Sequence, residues 1–147
     1  MVRSLRPLFF AVLLLAGCDN ATLTVDPAAT AEERQWQAQR LDDYRYDFDQ
    51  HCFCVPEQVA PVTIDVIDGR VSRVVVRATG QDITARAGLR WPTIVELFRI
   101  IDEARRNGTE PLEVRYDETR GYPTYIEAGT LYNDAGVIYT ASNLRPL

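Results

Sequence analysis

The chain has 147 residues, 46% of them hydrophobic and 25% charged, a balance that argues against a disordered or fibrous protein and for one compact domain. All 16 basic residues are arginine and face 21 acids, for a net charge of −5. Counterion-release binding to nucleic acid needs a basic surface, so this balance argues against a nucleic-acid partner.

Met1 to Pro7 carry Arg3 and Arg6 and no acid, and Leu8 to Ala16 is unbroken apolar sequence. That run is far shorter than the roughly 20 residues a membrane-spanning helix needs and has the form of a signal-peptide hydrophobic region. It ends in Leu15-Ala16-Gly17-Cys18, which resembles the bacterial lipobox. Competing readings are an ordinary secretory signal with a chance cysteine, or a short core helix. Charged start, apolar run, small pair and cysteine stand in lipobox order, so residues 1–17 are read as a lipoprotein signal peptide and Cys18 as the lipid attachment site. Several acyl chains, at about 0.8 kcal/mol per buried methylene, anchor a protein stably where one chain would not. Cleavage would leave 14 arginines against 21 acids, so the acyl chains rather than charge are expected to hold the protein on its membrane. Asp19 resembles an inner-membrane retention signal that not all lineages obey, which leaves inner and outer membrane both open. Residues 18–30 are small and polar and read as a flexible tether of up to about 40 Å.

The folded part is expected over residues 31–147 as one domain. Thr30 followed by Ala31-Glu32-Glu33 is a helix start, with the helix running to about Asp42 and Trp36 as its main anchor. From Tyr44 strict alternation begins: Tyr44, Tyr46, Phe48, Gln50, Cys52 and Cys54 point one way, and Arg45, Asp47, Asp49 and His51 the other. A second strand over Val62 to Val66, an Asp68-Gly69 hairpin turn and a returning strand over Val71 to Ala78 follow. Thr79 to Arg90 reads as a long loop. Thr93-Ile94-Val95-Glu96 is a capping box, and Ile94, Leu97, Phe98, Ile101 and Ala104 recur at helical spacing until Gly108, which predicts a second helix over Pro92 to Asn107. Leu112 to Tyr116, Tyr122 to Ala128 and Val137 to Ala141 are the last three strands. The expected fold class is α+β, an antiparallel sheet of about six strands with two helices on one face, in the order αβββ-αβββ. The matching element order leaves an internal duplication open.

With Cys18 committed to lipid, chemistry centres on His51-Cys52-Phe53-Cys54. Outside the cytoplasmic membrane paired thiols tend to be oxidised. Alternate Cα atoms of a regular strand lie about 6.5 to 7 Å apart, at the upper limit for a bridge, so a Cys52–Cys54 disulfide requires a kink, placed as a bulge around Phe53. Three readings compete: a local structural disulfide, a strained redox couple, and a metal site with His51. Metal binding is disfavoured because alternation turns the only histidine away from both cysteines and no fourth ligand can be placed. No hydrolase, zincin or phosphate-loop motif occurs, so no catalytic residue, metal or cofactor is assigned. Asp47 and Asp49 read as a solvated sheet face. The seven tyrosines, Tyr44, Tyr46, Tyr116, Tyr122, Tyr125, Tyr132 and Tyr139, read either as core packing or as an aromatic face for a partner.

Trp36, Tyr44-Arg45-Tyr46, Cys52-Phe53-Cys54, Pro56-Glu57, Asp68-Gly69, Trp91-Pro92-Thr93-Ile94, Val114-Arg115-Tyr116-Asp117, Gly121-Tyr122-Pro123-Thr124 and Asn143-Leu144-Arg145-Pro146-Leu147 together resemble the bacterial family catalogued as domain of unknown function 6174. The likeness spans about residues 35 to 147. It implies a secreted or lipid-anchored protein and no catalytic residues. The segment after Ile126, often strongly acidic in such proteins, is here Ala128-Gly129-Thr130-Leu131-Tyr132 before Asn133-Asp134, which weakens a cation site there.

These readings converge on a lipoprotein of the cell envelope, facing the periplasm or exterior, that works as a non-enzymatic binding or structural module. Its expected partners are the membrane, through the anchor, and an envelope protein; its oligomeric state is not legible. The alternative is a thiol-disulfide or metal-handling protein built on Cys52 and Cys54. Mass spectrometry of protein extracted from membranes is expected to find an N-terminal, acylated Cys18. An unmodified Cys18, or a different N-terminus, contradicts the anchor.

Overall fold

The structure, a computed structural model, describes residues 29–131 and 136–147. Cys18, the expected signal peptide, residues 18–28 of the tether, and Tyr132, Asn133 and Asp134 lie outside the described residues. Two helices and six strands form the domain, in the order α1 (Ala31–Ala38), β1 (Tyr44–His51), β2 (Val62–Ile67), β3 (Arg70–Val76), α2 (Ile94–Arg106), β4 (Leu112–Tyr116), β5 (Pro123–Ala128) and β6 (Val137–Pro146). The αβββ-αβββ order of an α+β fold is therefore present. All six strands join one antiparallel sheet in the order β3-β2-β1-β6-β5-β4, so two three-stranded meanders meet where β1 pairs with β6.

Alternation gives the sheet two unlike faces. Tyr44, Tyr46 and Phe48 of β1 and Val62, Ile64 and Val66 of β2 are buried, and both helices lie over this side. Trp36 of α1 packs edge-on against Tyr44, with ring centroids 5.4 Å apart, and against Tyr122 at 6.4 Å. On α2 the buried residues are Ile94, Leu97, Phe98, Ile101 and Ala104, the stripe expected from their spacing. Each large apolar side chain so buried contributes about 1.5–3 kcal/mol. The capping box is present in both directions: the Thr93 hydroxyl accepts from the Glu96 N–H at 3.2 Å, and the Glu96 carboxylate accepts from the Thr93 N–H at 2.7 Å. Two tyrosines of β1 complete this helix start. Tyr44 Oη accepts from the Ile94 N–H at 3.0 Å, and Tyr46 donates to the Pro92 carbonyl. Burial pushes the Tyr44 phenol up to about 12 and raises that of Tyr46 as well, so both stay neutral in this apolar setting.

The Asp68-Gly69 turn has positive φ at both residues, 51° and 68°, the requirement of a tight hairpin turn matching the sheet twist. Several boundaries differ from the expected ones. α1 stops at Ala38 rather than near Asp42, because Arg40 enters the left-handed region at φ 49°. Gln39 instead exchanges hydrogen bonds with Arg120, donating to its carbonyl at 2.6 Å and accepting from its guanidinium at 3.0 Å. β1 ends at His51, not at the cysteines. β3 ends at Val76, because the chain folds back so that the Val76 N–H donates to the Gln81 carbonyl. Residues 79–90 are not an idle loop: Ile83 is buried, Val75 bridges to Asp82, and the Thr84 hydroxyl accepts from the Val74 N–H at 2.8 Å. This segment covers the open edge of β3, a common protection against strand-to-strand aggregation. β6 continues past Ala141 to Pro146 through a bulge at Asn143, whose φ is 54°.

Tyr44→Phe is expected to leave the buried Ile94 N–H without an acceptor and to lower stability by about 1–3 kcal/mol in urea denaturation. A variant as stable as the parent contradicts this anchor.

Candidate functional site

The first strand delivers His51, then bends at Cys52 and Phe53. This bend at the strand end, rather than a bulge within the strand, brings the cysteines together: their Cα atoms are 5.2 Å apart, less than the spacing of alternate residues in a regular strand. They form a close pair with sulfurs at bonding distance. Cys52 is half-buried and Cys54 exposed. His51 and Cys52 both line one cleft.

That cleft has a volume of about 890 Å³. Its apolar walls are Phe53, Val59, Pro111 and Leu131, and its polar groups include His51, Glu127 and Thr130. The walls come from three parts of the chain. The Gly129 N–H donates to the Pro111 carbonyl at 2.9 Å, tying the end of β5 to the start of β4. Sheet register places His51 opposite Ile138 and Ile138 opposite Glu127, so two polar wall groups sit on one face with an isoleucine between them. Glu127 accepts from the Tyr125 hydroxyl at 2.7 Å. Phe53 is 71% exposed at the rim, a large apolar surface without cover among the described residues.

Behind the cysteines stands Gln50, a residue the sequence reading placed on the inward face without assigning it a role. It is buried, and its amide donates to Cys52 Sγ at 3.1 Å, with Cys54 Sγ at 3.9 Å. A polar residue closing the inward series Tyr44, Tyr46 and Phe48 was the available signal, since a buried amide needs a partner. The far cleft walls carried no comparable signal.

The other candidate residues have structural roles. Asp47 accepts from Thr63 at 2.7 Å and from Asn143 at 2.9 Å. Burial raises its carboxyl, but these bonds together with Arg77 and Arg145 hold it below the usual carboxylate range. Asp49 pairs with Arg77. Of the tyrosines, Tyr44, Tyr46 and Tyr122 are buried, Tyr139 stacks on Phe48 at 5.7 Å and Tyr116 on Phe98 at 6.1 Å. They build the core and not an exposed aromatic face; Tyr125 lies beneath the Arg115 guanidinium on the other side of the sheet. Among the described residues no group of three His, Cys, Asp or Glu side chains could hold a metal ion, and no helix is long and apolar enough to cross a membrane.

Fold and site thus define an α+β domain with one helix-covered sheet face, one polar face and a largely apolar cleft at the sheet end. A family model described as "Family of unknown function (DUF6174)" matches residues 28–146, and the chain belongs to that family. Searches of the curated proteins and of the solved structures found no match.

If the cysteines are bridged, the closed loop is so short that it restricts the unfolded chain little. Cys52→Ser/Cys54→Ser is then expected to cost about 1.5 kcal/mol or less in chemical denaturation, with no free thiol trapped in wild-type protein taken directly from cells. Two trapped thiols refute the bridge.

Proposed function

We propose that the protein is a lipid-anchored component of the bacterial cell envelope whose domain binds an apolar segment of an envelope protein in the cleft beside Cys52 and Cys54. One observation carries the binding reading: a cavity of about 890 Å³ with mainly apolar walls, a few polar groups and an exposed phenylalanine at its rim, the composition of binding sites generally. The lipobox-like segment ending at Cys18 supports the location. A domain tethered to a membrane meets its partners in a thin layer, where weak affinities suffice.

A second reading is favoured by a different observation. Gln50 donates toward both sulfurs of an accessible pair, an arrangement that would also stabilise a thiolate during thiol-disulfide exchange. The two readings part in one experiment. A photo-crosslinking residue is placed at Phe53, and as a control at Val95, which is exposed on α2. Crosslinking in intact cells is expected to yield one adduct from position 53, none from position 95, and the same adduct in the Cys52→Ser/Cys54→Ser background. No adduct from position 53 overturns the binding reading. An adduct that requires the cysteines, together with measurable disulfide exchange, transfers the function to the thiol pair.

A further inference from the structure

Near the opposite end of β1, some 20 Å from His51 at about 3.3 Å per strand residue, the polar face holds a second, independent feature. Register sets Arg145 of β6 opposite Arg45 of β1, Arg45 opposite Asp65 of β2, and Asp65 opposite Arg73 of β3. Like charges directly opposite one another on a sheet are destabilising, yet Arg45 and Arg145 share one row. The surface there is a depression of about 260 Å³ lined by the three arginines, Asp65, Thr63 and Val75. Three arginines and one aspartate thus line this depression in a chain whose net charge is −5.

The backbone is shaped around this row. A register shift on β6 places an extra residue beside Tyr46, with Asn143 at φ 54°. A second shift, on β3, places the extra residue Ser72 just beyond Arg73, and its hydroxyl donates to the Asp65 carbonyl at 3.2 Å. Bulges increase local twist and re-aim side chains, and they concentrate beside functional sites. Here one flanks the row on each side of the β1–β2 pair.

The arginines are not equally engaged. Arg45 uses Nε and Nη2 on the two oxygens of Asp65, which hold that carboxyl below its usual range and leave Arg45 firmly charged. Arg73 uses Nε on Asp82 at 3.1 Å. The charge of Arg145 acts on Asp47 and Asp65, but among the described residues Arg145 makes no ion pair of its own. Asp65 therefore orients one guanidinium, and Arg145 stands beside it without an ion pair among the described residues. Guanidinium groups bind oxyanions through paired parallel N–H donors, and phosphate is the oxyanion best matched to several such forks.

We propose that this depression is an oxyanion subsite that takes a phosphate group, carried either by a soluble phosphate ester or by a phospholipid headgroup. Arg145 and Arg73 contact the phosphate, and Arg45, fixed by Asp65, supplies the third positive charge. The test follows arginine Nε–H resonances of the full chain in a non-ionic detergent. One arm titrates inorganic phosphate, and the other adds phosphatidic acid to the micelles. Saturable shifts at Arg73 and Arg145, without shifts at Arg99 on α2, are expected in at least one arm. A response to both, or to phosphate alone, assigns a soluble ligand class, and a response to phosphatidic acid alone assigns a headgroup. Arg145→Gln and Arg73→Gln should each weaken binding about tenfold. Arg145→Lys, which keeps charge and loses the fork, should fall between, and thermal unfolding of each variant checks its fold. No saturable shift in either arm overturns the proposal, as do shifts that persist undiminished in folded Arg145→Gln and Arg73→Gln variants.

Discussion

The pairing of β1 with β6 is the constraint on which the rest of the domain depends. Each half of the chain forms its own meander, β3-β2-β1 and β6-β5-β4, and this one strand pair makes a single sheet of them. β1 hydrogen-bonds on both edges and works on both faces. Its inward residues carry the aromatic series Tyr44, Tyr46 and Phe48 that seats both helices, through Trp36 on one side and the capped start of α2 on the other. Its outward residues Arg45, Asp47 and Asp49 are each held by partners on neighbouring strands. A strand so fully committed has no freedom to slip, because a one-residue shift would exchange the two sets.

From that arrangement follows where chemistry is available. The helix-covered face is filled with rings, so Tyr44, Tyr46, Tyr116, Tyr122 and Tyr139 serve packing. The two concave features lie towards the ends of β1. At one end the chain bends and leaves Cys52, Phe53 and the apolar cleft. Near the other, two bulges shape the arginine row. Gln50 links core and cleft: it is the last inward residue of β1, and its amide turns toward sulfur rather than toward a ring.

Much of this architecture is local and was therefore legible. The capping box at Thr93 and Glu96, the five-residue apolar stripe of α2, the Asp68-Gly69 turn and the alternation from Tyr44 each depend on neighbours within a few positions. Features set by distant partners were not. α1 ends early because Gln39 and Gln35 bond the turn at residues 118–120, a contact across more than 80 positions. β6 runs on to Pro146 because Arg45 and Tyr44 lie alongside it. The close spacing of the cysteines points to a kink around Phe53, and the chain does bend at Cys52 and Phe53, but as the end of β1 rather than as a bulge within it. Glu127, Pro111 and Leu131 meet His51 only because β5 and β6 bring them there, so the cleft had no motif in the sequence. The arginine row was equally hidden, since its members lie on four strands and only register joins them.

The most direct test of this account is native-state hydrogen exchange resolved by residue. If β1·β6 unites the two meanders into one cooperative unit, amides in the centres of β1, β2, β5 and β6 exchange only through global unfolding, with one shared free energy matching that from urea denaturation. A β4–β6 meander that loses protection well below that free energy while β1–β3 retain theirs would show two separately folding halves, and would contradict the claim that this strand pair holds the domain together.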